Sequence, residues 1–128
     1  MNVLLDTSTL LWALQTPARL SRKAREVLDD PRATLHVSSA SAWEVATKHR
    51  IGKLPGVGHI VDRWDQVLDE YAIESVAINA SHAVRAGMYL ADHGDPFDRM
   101  IAAHAELCSM PLISSDEAFD LFPVTRVW

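Results

Sequence analysis

The sequence has very little cysteine: Cys108 is the only one among 128 residues. One thiol cannot form an internal disulfide, and it cannot supply the set of sulfur ligands that a cysteine-based zinc site requires. A disulfide framework and a zinc cluster of this type are therefore excluded. Redox chemistry is not indicated.

Long hydrophobic runs are also missing. No apolar stretch reaches the roughly 18 residues that a membrane span requires, and the chain meets the carboxylate of Asp6 after only three apolar residues. This start lacks the basic segment and extended apolar stretch of a signal peptide. We expect a cytoplasmic protein with no membrane partner, folded as one domain over residues 1–128.

Positive charge is scarce as well, with 12 Lys and Arg against 17 Asp and Glu and a net charge of −5. This balance disfavours binding of nucleic acid by bulk electrostatics. The objection weakens if several carboxylates share a metal site, because two divalent ions would offset four of the five charges. Local cationic patches could then face phosphates, although each is also typical of a solvated helix face: Lys48, His49, Arg50 and Lys53, or Arg19, Arg22, Lys23 and Arg25.

Strand and helix patterns alternate along the chain. Apolar runs predict strands at 3–5, 34–38, 73–78, 110–114 and 124–127. Capping residues and apolar periodicity predict helices that begin at Asp6-Thr7 and span 22–30, 41–51, 59–71, 80–92 and 96–109. This alternation predicts an α/β fold with a mostly parallel sheet covered by helices on both faces.

Four carboxylates lie where these elements meet. Asp6 and Asp116 directly follow predicted strands, and Glu44 and Asp98 fall in the first turns of predicted helices. Ligands of open parallel sheets bind beyond the carboxyl ends of the strands, where the strand order switches. We therefore expect the four acids to converge at that edge.

Each acid also has a structural interpretation when taken alone. Glu44 could complete a capping box with Ser41, Asp98 could complement a helix dipole, and Asp116 could cap a short turn. Together, however, four close carboxylates would repel one another unless a cation lay between them. Oxygen ligands favour Mg²⁺ or Mn²⁺ over zinc, and such ions activate water for attack on a phosphodiester without a covalent nucleophile.

Four sequence segments carry a family resemblance over essentially the whole chain. They are Leu4-Leu5-Asp6-Thr7, Ser41-Ala42-Trp43-Glu44-Val45, His93-Gly94-Asp95-Pro96-Phe97-Asp98-Arg99 with the following Met100 to Ala105, and Leu112-Ile113-Ser114-Ser115-Asp116. In their order and spacing they resemble PIN-domain nucleases, specifically the VapC-type toxins of toxin–antitoxin pairs. The resemblance implies a three-layer α/β/α PIN-like domain.

The resemblance also assigns roles to residues. It implies a catalytic, metal-binding pocket in which Asp6, Asp98 and Asp116 are the nearer ligands and Glu44 acts directly or through water. Thr7 and Ser114 would supply hydroxyls around it, Ser114 standing where family members often have threonine. Two further signature residues are secondary: Asp95 as a helix cap rather than a ligand, and Arg99 paired with a pocket acid or a substrate phosphate.

The same resemblance implies a magnesium- or manganese-dependent endoribonuclease toxin. Its substrate would be structured RNA, commonly transfer or ribosomal RNA, and its partners a second copy of the chain and an antitoxin whose tail blocks the pocket. Two rivals remain open. An aspartyl-nucleophile phosphatase usually has a second Asp two residues after the first, where this chain has Ser8. A non-catalytic domain that binds metal and a partner is the other.

Overall fold

A computed structural model describes all 128 residues. Its single sheet has five strands. They are β1 (Asn2–Leu5), β2 (Thr34–Ser38), β3 (Ile73–Val76), β4 (Leu112–Ile113) and β5 (Arg126–Val127). Seven α-helices connect them: α1 (Thr7–Gln15), α2 (Arg22–Asp29), α3 (Ser39–Arg50), α4 (Gly58–Asp62), α5 (Trp64–Glu70), α6 (Ala80–Met88) and α7 (Pro96–Leu107). Short 3₁₀ turns span Pro17–Arg19 and Glu117–Leu121.

The sheet has the strand order β3-β2-β1-β4-β5, and every pair of neighbouring strands is parallel. From β1 the chain first builds outward through β2 and β3, then returns to the other side of β1 with β4 and β5. The strand order therefore reverses between β1 and β4, where Leu5 pairs with Ile113. In parallel sheets a crevice opens beyond the carboxyl ends of the strands at this point.

The core lies on both faces of the sheet, as the alternation of side chains along β1 and β4 shows. Leu4 and Leu112 belong to a buried cluster with residues of α6 and α7, whereas Leu5 and Ile113 belong to a cluster with residues of α1 and α2. Successive side chains of a strand point to opposite faces, so each strand contributes to both clusters. The three-layer α/β/α architecture with a parallel sheet is confirmed.

The predicted helix over 59–71 is two helices. The chain leaves helical geometry at Arg63, between α4 and α5. Ile60 of α4 packs with Val45 of α3, whereas Leu68 of α5 packs in the cluster that contains β1. The break at Arg63 thus separates two halves whose buried residues, Ile60 and Leu68, pack in different clusters.

Several other boundaries differ from the prediction. Helix α3 begins at Ser39 rather than Ser41, because the Ser38 hydroxyl accepts a hydrogen bond from the Ala40 amide and caps the helix. Helix α6 ends at Met88 rather than at 92, and α7 ends at Leu107 rather than at 109. The last three strands are shorter than their apolar runs. No helix is long and apolar enough to span a lipid bilayer.

Candidate active site

Asp6 lies at the reversal of the strand order, between the end of β1 and the start of α1. It is the N-cap of α1, with Oδ1 accepting a hydrogen bond from the Thr9 amide at 2.8 Å. Oδ2 accepts a hydrogen bond from the Ser114 hydroxyl at 2.6 Å. The Thr9 hydroxyl donates to the Ile113 carbonyl at 2.9 Å, which ties the start of α1 to β4. Residues far apart in the sequence thus fix the orientation of one buried carboxylate.

The environment of Asp6 raises its pKa above the ordinary value. Burial is the largest cause; the hydrogen bonds from Ser114 and Thr9 oppose it, and the charge of Asp116 adds to the increase. A raised pKa means that the negative charge is incompletely compensated in the folded protein. A cation near Asp6 would supply the missing compensation.

Glu44 is buried on α3, and both of its oxygens have partners. The Thr7 hydroxyl donates to Oε1 at 2.5 Å, and the Lys48 ammonium donates to Oε2 at 2.5 Å. The Ser41 hydroxyl lies 2.9 Å from the Thr7 hydroxyl. Because Ser38 caps α3, the capping box of Ser41 and Glu44 does not form, and that structural interpretation of Glu44 is wrong. Glu44 instead links α3 to the residue after Asp6.

Asp98 lies in the first turn of α7. Asp95 precedes the helix, and its Oδ1 accepts hydrogen bonds from the amides of Phe97 and Asp98, so Asp95 is the helix cap that the sequence predicts. The His93 ring is 2.8 Å from Asp98, measured from Nε2 to Oδ2. Burial raises the pKa of Asp98 to about 6; His93 opposes this increase, and the charges of Asp95 and Glu44 add to it.

Asp116 is exposed and close to Asp6. Its Oδ1 accepts a hydrogen bond from the Ala118 amide and caps the 3₁₀ turn, as the structural interpretation predicts. Its own amide donates to the Ser114 hydroxyl at 3.0 Å, and that hydroxyl donates to Asp6. Ser114 therefore holds both acids at the ends of β1 and β4.

The four acids lie in two pairs: the charge of Asp116 contributes to the raised pKa of Asp6, and the charge of Glu44, after the larger contribution of Asp95, contributes to the raised pKa of Asp98. Thr7 connects the pairs, because it follows Asp6 in the chain and donates to Glu44. No three His, Cys, Asp or Glu side chains lie close enough together to form a ready-made set of metal ligands. The available donors are carboxylate and hydroxyl oxygens, and two of the carboxylates have raised pKa values. This chemistry fits a hard divalent cation.

Arg99 departs from its predicted role. Its guanidinium donates to the carbonyls of Ala86, Gly87, Tyr89, Ala91 and His93 at 2.5 to 3.3 Å. All five N–H groups of a guanidinium are used in this way. Arg99 therefore pairs with neither a pocket acid nor a free phosphate. It binds the end of α6 and the loop that leads to α7, and so supplies donors for carbonyls that the end of a helix leaves without intrahelical partners.

Two residues of the pocket were missed from the sequence. The sequence places Lys48 in a cationic patch that could face phosphates, but not beside the acids, although its spacing of four residues from Glu44 on a helix is a known signal for an ion pair. His93 was expected to be exposed or to lie at a helix end; it precedes α7 in a loop, and no spacing rule predicts its contact with Asp98.

An aromatic pair lies next to the acids. Trp43 and Phe97 are the chain neighbours of Glu44 and Asp98, and their rings meet edge to face with centroids 4.8 Å apart. Trp43 is 61% exposed. A large aromatic surface is thus available to solvent at the edge of the pocket.

Comparison with known proteins agrees with this geometry. The family model of the PIN domain matches residues 3–124. The chain belongs to the PIN domain family. Comparison with curated proteins gives no match.

Solved structures with the same fold as this PIN domain come from toxin–antitoxin complexes. VapBC2 from Rickettsia felis, bound to a DNA fragment from its promoter, gives a TM-score of 0.72 at 18% identity, covering 99% of this chain and 98% of that one. VapBC-1 from nontypeable Haemophilus influenzae gives a TM-score of 0.71 at 19% identity, covering 99% of this chain and 97% of that one. A toxin–antitoxin complex from Klebsiella pneumoniae gives a TM-score of 0.67 at 17% identity, covering 98% of this chain and 96% of that one.

Proposed function

We propose that this PIN domain is a magnesium- or manganese-dependent endoribonuclease that acts as the toxin of a toxin–antitoxin pair in the cytoplasm. The observation that carries the proposal is the buried carboxylate of Asp6 at the reversal of the strand order, together with the half-buried carboxylate of Asp98 at the start of α7, both with raised pKa values. Neither acid has a positive partner on this chain that compensates its charge fully. A divalent cation is the compensation that suits oxygen ligands.

The residues of the pocket would have different roles in hydrolysis. Asp6, Asp98 and Asp116 would hold the ion, and Glu44 would act on it directly or through water. A bound Mg²⁺ or Mn²⁺ supplies Lewis acidity and lowers the pKa of a water molecule that attacks the phosphodiester. Ser114 fixes the orientation of Asp6, and Thr7 fixes that of Glu44. Such positioning before substrate arrives reduces the reorganisation needed in the transition state.

The aromatic pair supports a substrate with unpaired bases. An exposed aromatic ring provides a stacking surface for a base, and each such contact contributes about 1–3 kcal/mol. Trp43 offers this surface beside Glu44. Loops of folded RNA, such as those of transfer or ribosomal RNA, present unstacked bases of this kind. Trp43→Ala should weaken binding of single-stranded RNA, while Trp43→Phe should retain most of it.

The partners follow from the neighbours and from exposed apolar residues. The three structures described above are toxin–antitoxin complexes, and we propose a cognate antitoxin for this chain too. Val84, Met88 and Leu90 are exposed on α6 and just beyond it. Exposed apolar side chains of this kind are typical of interfaces, and we assign them to contact with a second copy of the chain. Light scattering of the purified protein, with Val84→Glu as the variant, tests this homodimer.

The nuclease function is tested with purified protein and total RNA. Wild type should cleave RNA in the presence of Mg²⁺ or Mn²⁺, and excess chelator, Asp6→Asn or Asp98→Asn should each abolish cleavage. Asp62→Asn, an exposed acid outside the pocket, is the control and should leave cleavage unchanged. Cleavage that survives both pocket substitutions or the chelator would refute the mechanism.

A second candidate is a non-catalytic domain that binds metal and a partner. The observation in its favour is that no three ligands are already assembled. Folded wild-type protein that binds Mn²⁺ and leaves RNA intact would support this alternative. The phosphatase rival gains no support, because both oxygens of Asp6 already accept hydrogen bonds and α1 begins directly after it.

A further inference from the structure

Lys48 is a cation placed inside an acidic pocket. Its ammonium donates to Glu44 Oε2, and its pKa is raised, mainly by this hydrogen bond and also by the charges of Glu44, Asp95 and Asp98. Lys48 therefore lies within electrostatic reach of acids from both α3 and the start of α7. The side chain is nevertheless 41% exposed, so the ammonium also faces solvent.

Glu44 fixes the position of this ammonium. The carboxylate is held from the other side by the Thr7 hydroxyl on Oε1, so its orientation is set before it meets Lys48 on Oε2. An ammonium has three N–H donors, and Glu44 occupies one of them. The remaining donors are available to an anion that enters the pocket.

A phosphodiester at this pocket needs a positive contact, since the chain carries a net charge of −5. The arginine that the sequence suggested for this task, Arg99, has used all its donors on backbone carbonyls. His93 is in contact with Asp98. Lys48 combines partial exposure, free donors and a fixed position beside the acids.

We propose that Lys48 is a substrate-binding residue of this site, which donates hydrogen bonds to a phosphate oxygen of the RNA backbone while Glu44 holds it in place. The inference rests on the proposed nuclease function. It assigns Lys48 a task that is separate from holding the metal, because an ammonium repels a divalent ion and attracts a phosphate.

The first test measures RNA binding without cleavage. A single-stranded RNA oligonucleotide is titrated with protein in excess chelator, at several salt concentrations. Lys48→Met should weaken binding about three- to tenfold and reduce the salt dependence of log K by about 0.7, the contribution of one phosphate contact on a single strand. Lys48→Arg should retain the wild-type slope, because it keeps the charge and the donors.

Lys23→Met provides the matched control. Lys23 is exposed on α2 and makes no hydrogen bond or ion pair, which is typical of the solvated helix face that the sequence also allows for its cationic patch. The same change of charge at this position should leave affinity and salt slope within error of wild type. If Lys48→Met matches Lys23→Met in both quantities, the inference is wrong. Should Lys48→Met fail to fold, Lys48→Gln is measured in its place.

The second test measures metal binding by calorimetry with Mn²⁺. Lys48→Met should bind Mn²⁺ more tightly than wild type by about severalfold, because a repelling charge is removed. Its cleavage of RNA at saturating Mn²⁺ should nevertheless fall. Weaker Mn²⁺ binding in Lys48→Met would contradict the inference and indicate that Lys48 supports the ligands instead.

The outcomes separate this inference from the proposed function. Wild type that neither binds Mn²⁺ nor cleaves RNA would refute the nuclease function and, with it, the role of Lys48. Wild type that cleaves RNA while Lys48→Met cleaves and binds RNA equally well would refute the role of Lys48 alone.

Discussion

Replacing Asp98 with asparagine should stabilise the metal-free protein at neutral pH. The Asp98 side chain is 19% exposed, and burial raises its pKa to about 6 despite the adjacent His93 ring. The charges of Asp95 and Glu44 contribute to the same increase. Asparagine has the same shape and retains an oxygen that can accept a hydrogen bond from His93, but it brings no charge into the pocket. The variant should therefore avoid the unfavourable burial of a charge and keep the hydrogen bond with His93.

The magnitude follows from the pKa of Asp98. A change from the ordinary 3.8 to about 6 corresponds to about 3 kcal/mol of unfavourable interaction with the ionised form. Partial solvent exposure screens this unfavourable interaction, and we expect Asp98→Asn to raise the free energy of unfolding by about 1–2 kcal/mol. Because the folded protein binds the proton more tightly than the unfolded chain, this cost is absent below pH 4 and complete above pH 6. Ionised Asp98 thus destabilises the folded protein increasingly as the pH rises across that window.

The assay is urea unfolding followed by circular dichroism in excess chelator, at several pH values between about 4.5 and 7.5. The free energy of unfolding of Asp98→Asn should exceed that of wild type at the upper end, and the difference should shrink toward the lower end. Adding Mg²⁺ should stabilise wild type more than the variant, because only wild type keeps the complete ligand set. Asp62→Asn, the exposed control, should stay within about 0.5 kcal/mol of wild type throughout. A variant less stable than wild type at pH 7.5, or a difference independent of pH, would refute this reasoning.

Three further predictions concern stability. Burial and the charge of His82 lower the pKa of His104 to about 4, so wild type should lose stability as the pH falls from 6.5 toward 4. Between pH 7 and pH 5, the free energy of unfolding of His104→Gln in urea should fall by about 1–2 kcal/mol less than that of wild type. Equal losses in the two proteins would contradict this prediction. Ser114→Ala removes the hydroxyl shared by Asp6 and the Asp116 amide and should cost about 1–2 kcal/mol, measured in the same way. Arg99→Met removes five hydrogen bonds to backbone carbonyls and should cost about 2–4 kcal/mol, seen as a lower Tm; an unchanged Tm would rule out the structural role of Arg99.

Local signals in the sequence were sufficient for most of the fold. The strand at 34–38 was predicted with its exact bounds, because its alternating pattern ends at the serine that caps the next helix. The start of α7 was predicted from Asp95-Pro96, which combines an N-cap with a favourable first helical residue. Patterns of this kind depend on near neighbours, and near neighbours are visible in a sequence.

The errors arise where distant contacts override local preference. The apolar periodicity over 59–71 favours one helix, but Ile60 and Leu68 pack in different clusters and the chain breaks between them. The pattern of 80–92 favours a longer α6, but Arg99 binds the carbonyls of its last turn and of the loop beyond it. Neither competing contact has a signature in the local sequence.

For the pocket, the sequence by itself determined which acids were candidates: the oxygen-bearing side chains Asp6, Glu44, Asp98 and Asp116, each at the end of a strand or the start of a helix. Only the tertiary structure decided what surrounds them: Thr7 and Lys48 contact Glu44, Ser114 contacts Asp6, and His93 contacts Asp98. The physical reason is one of range. Helix caps and strand ends depend on a few adjacent residues, whereas the charge and burial at a carboxylate depend on every element that packs around it.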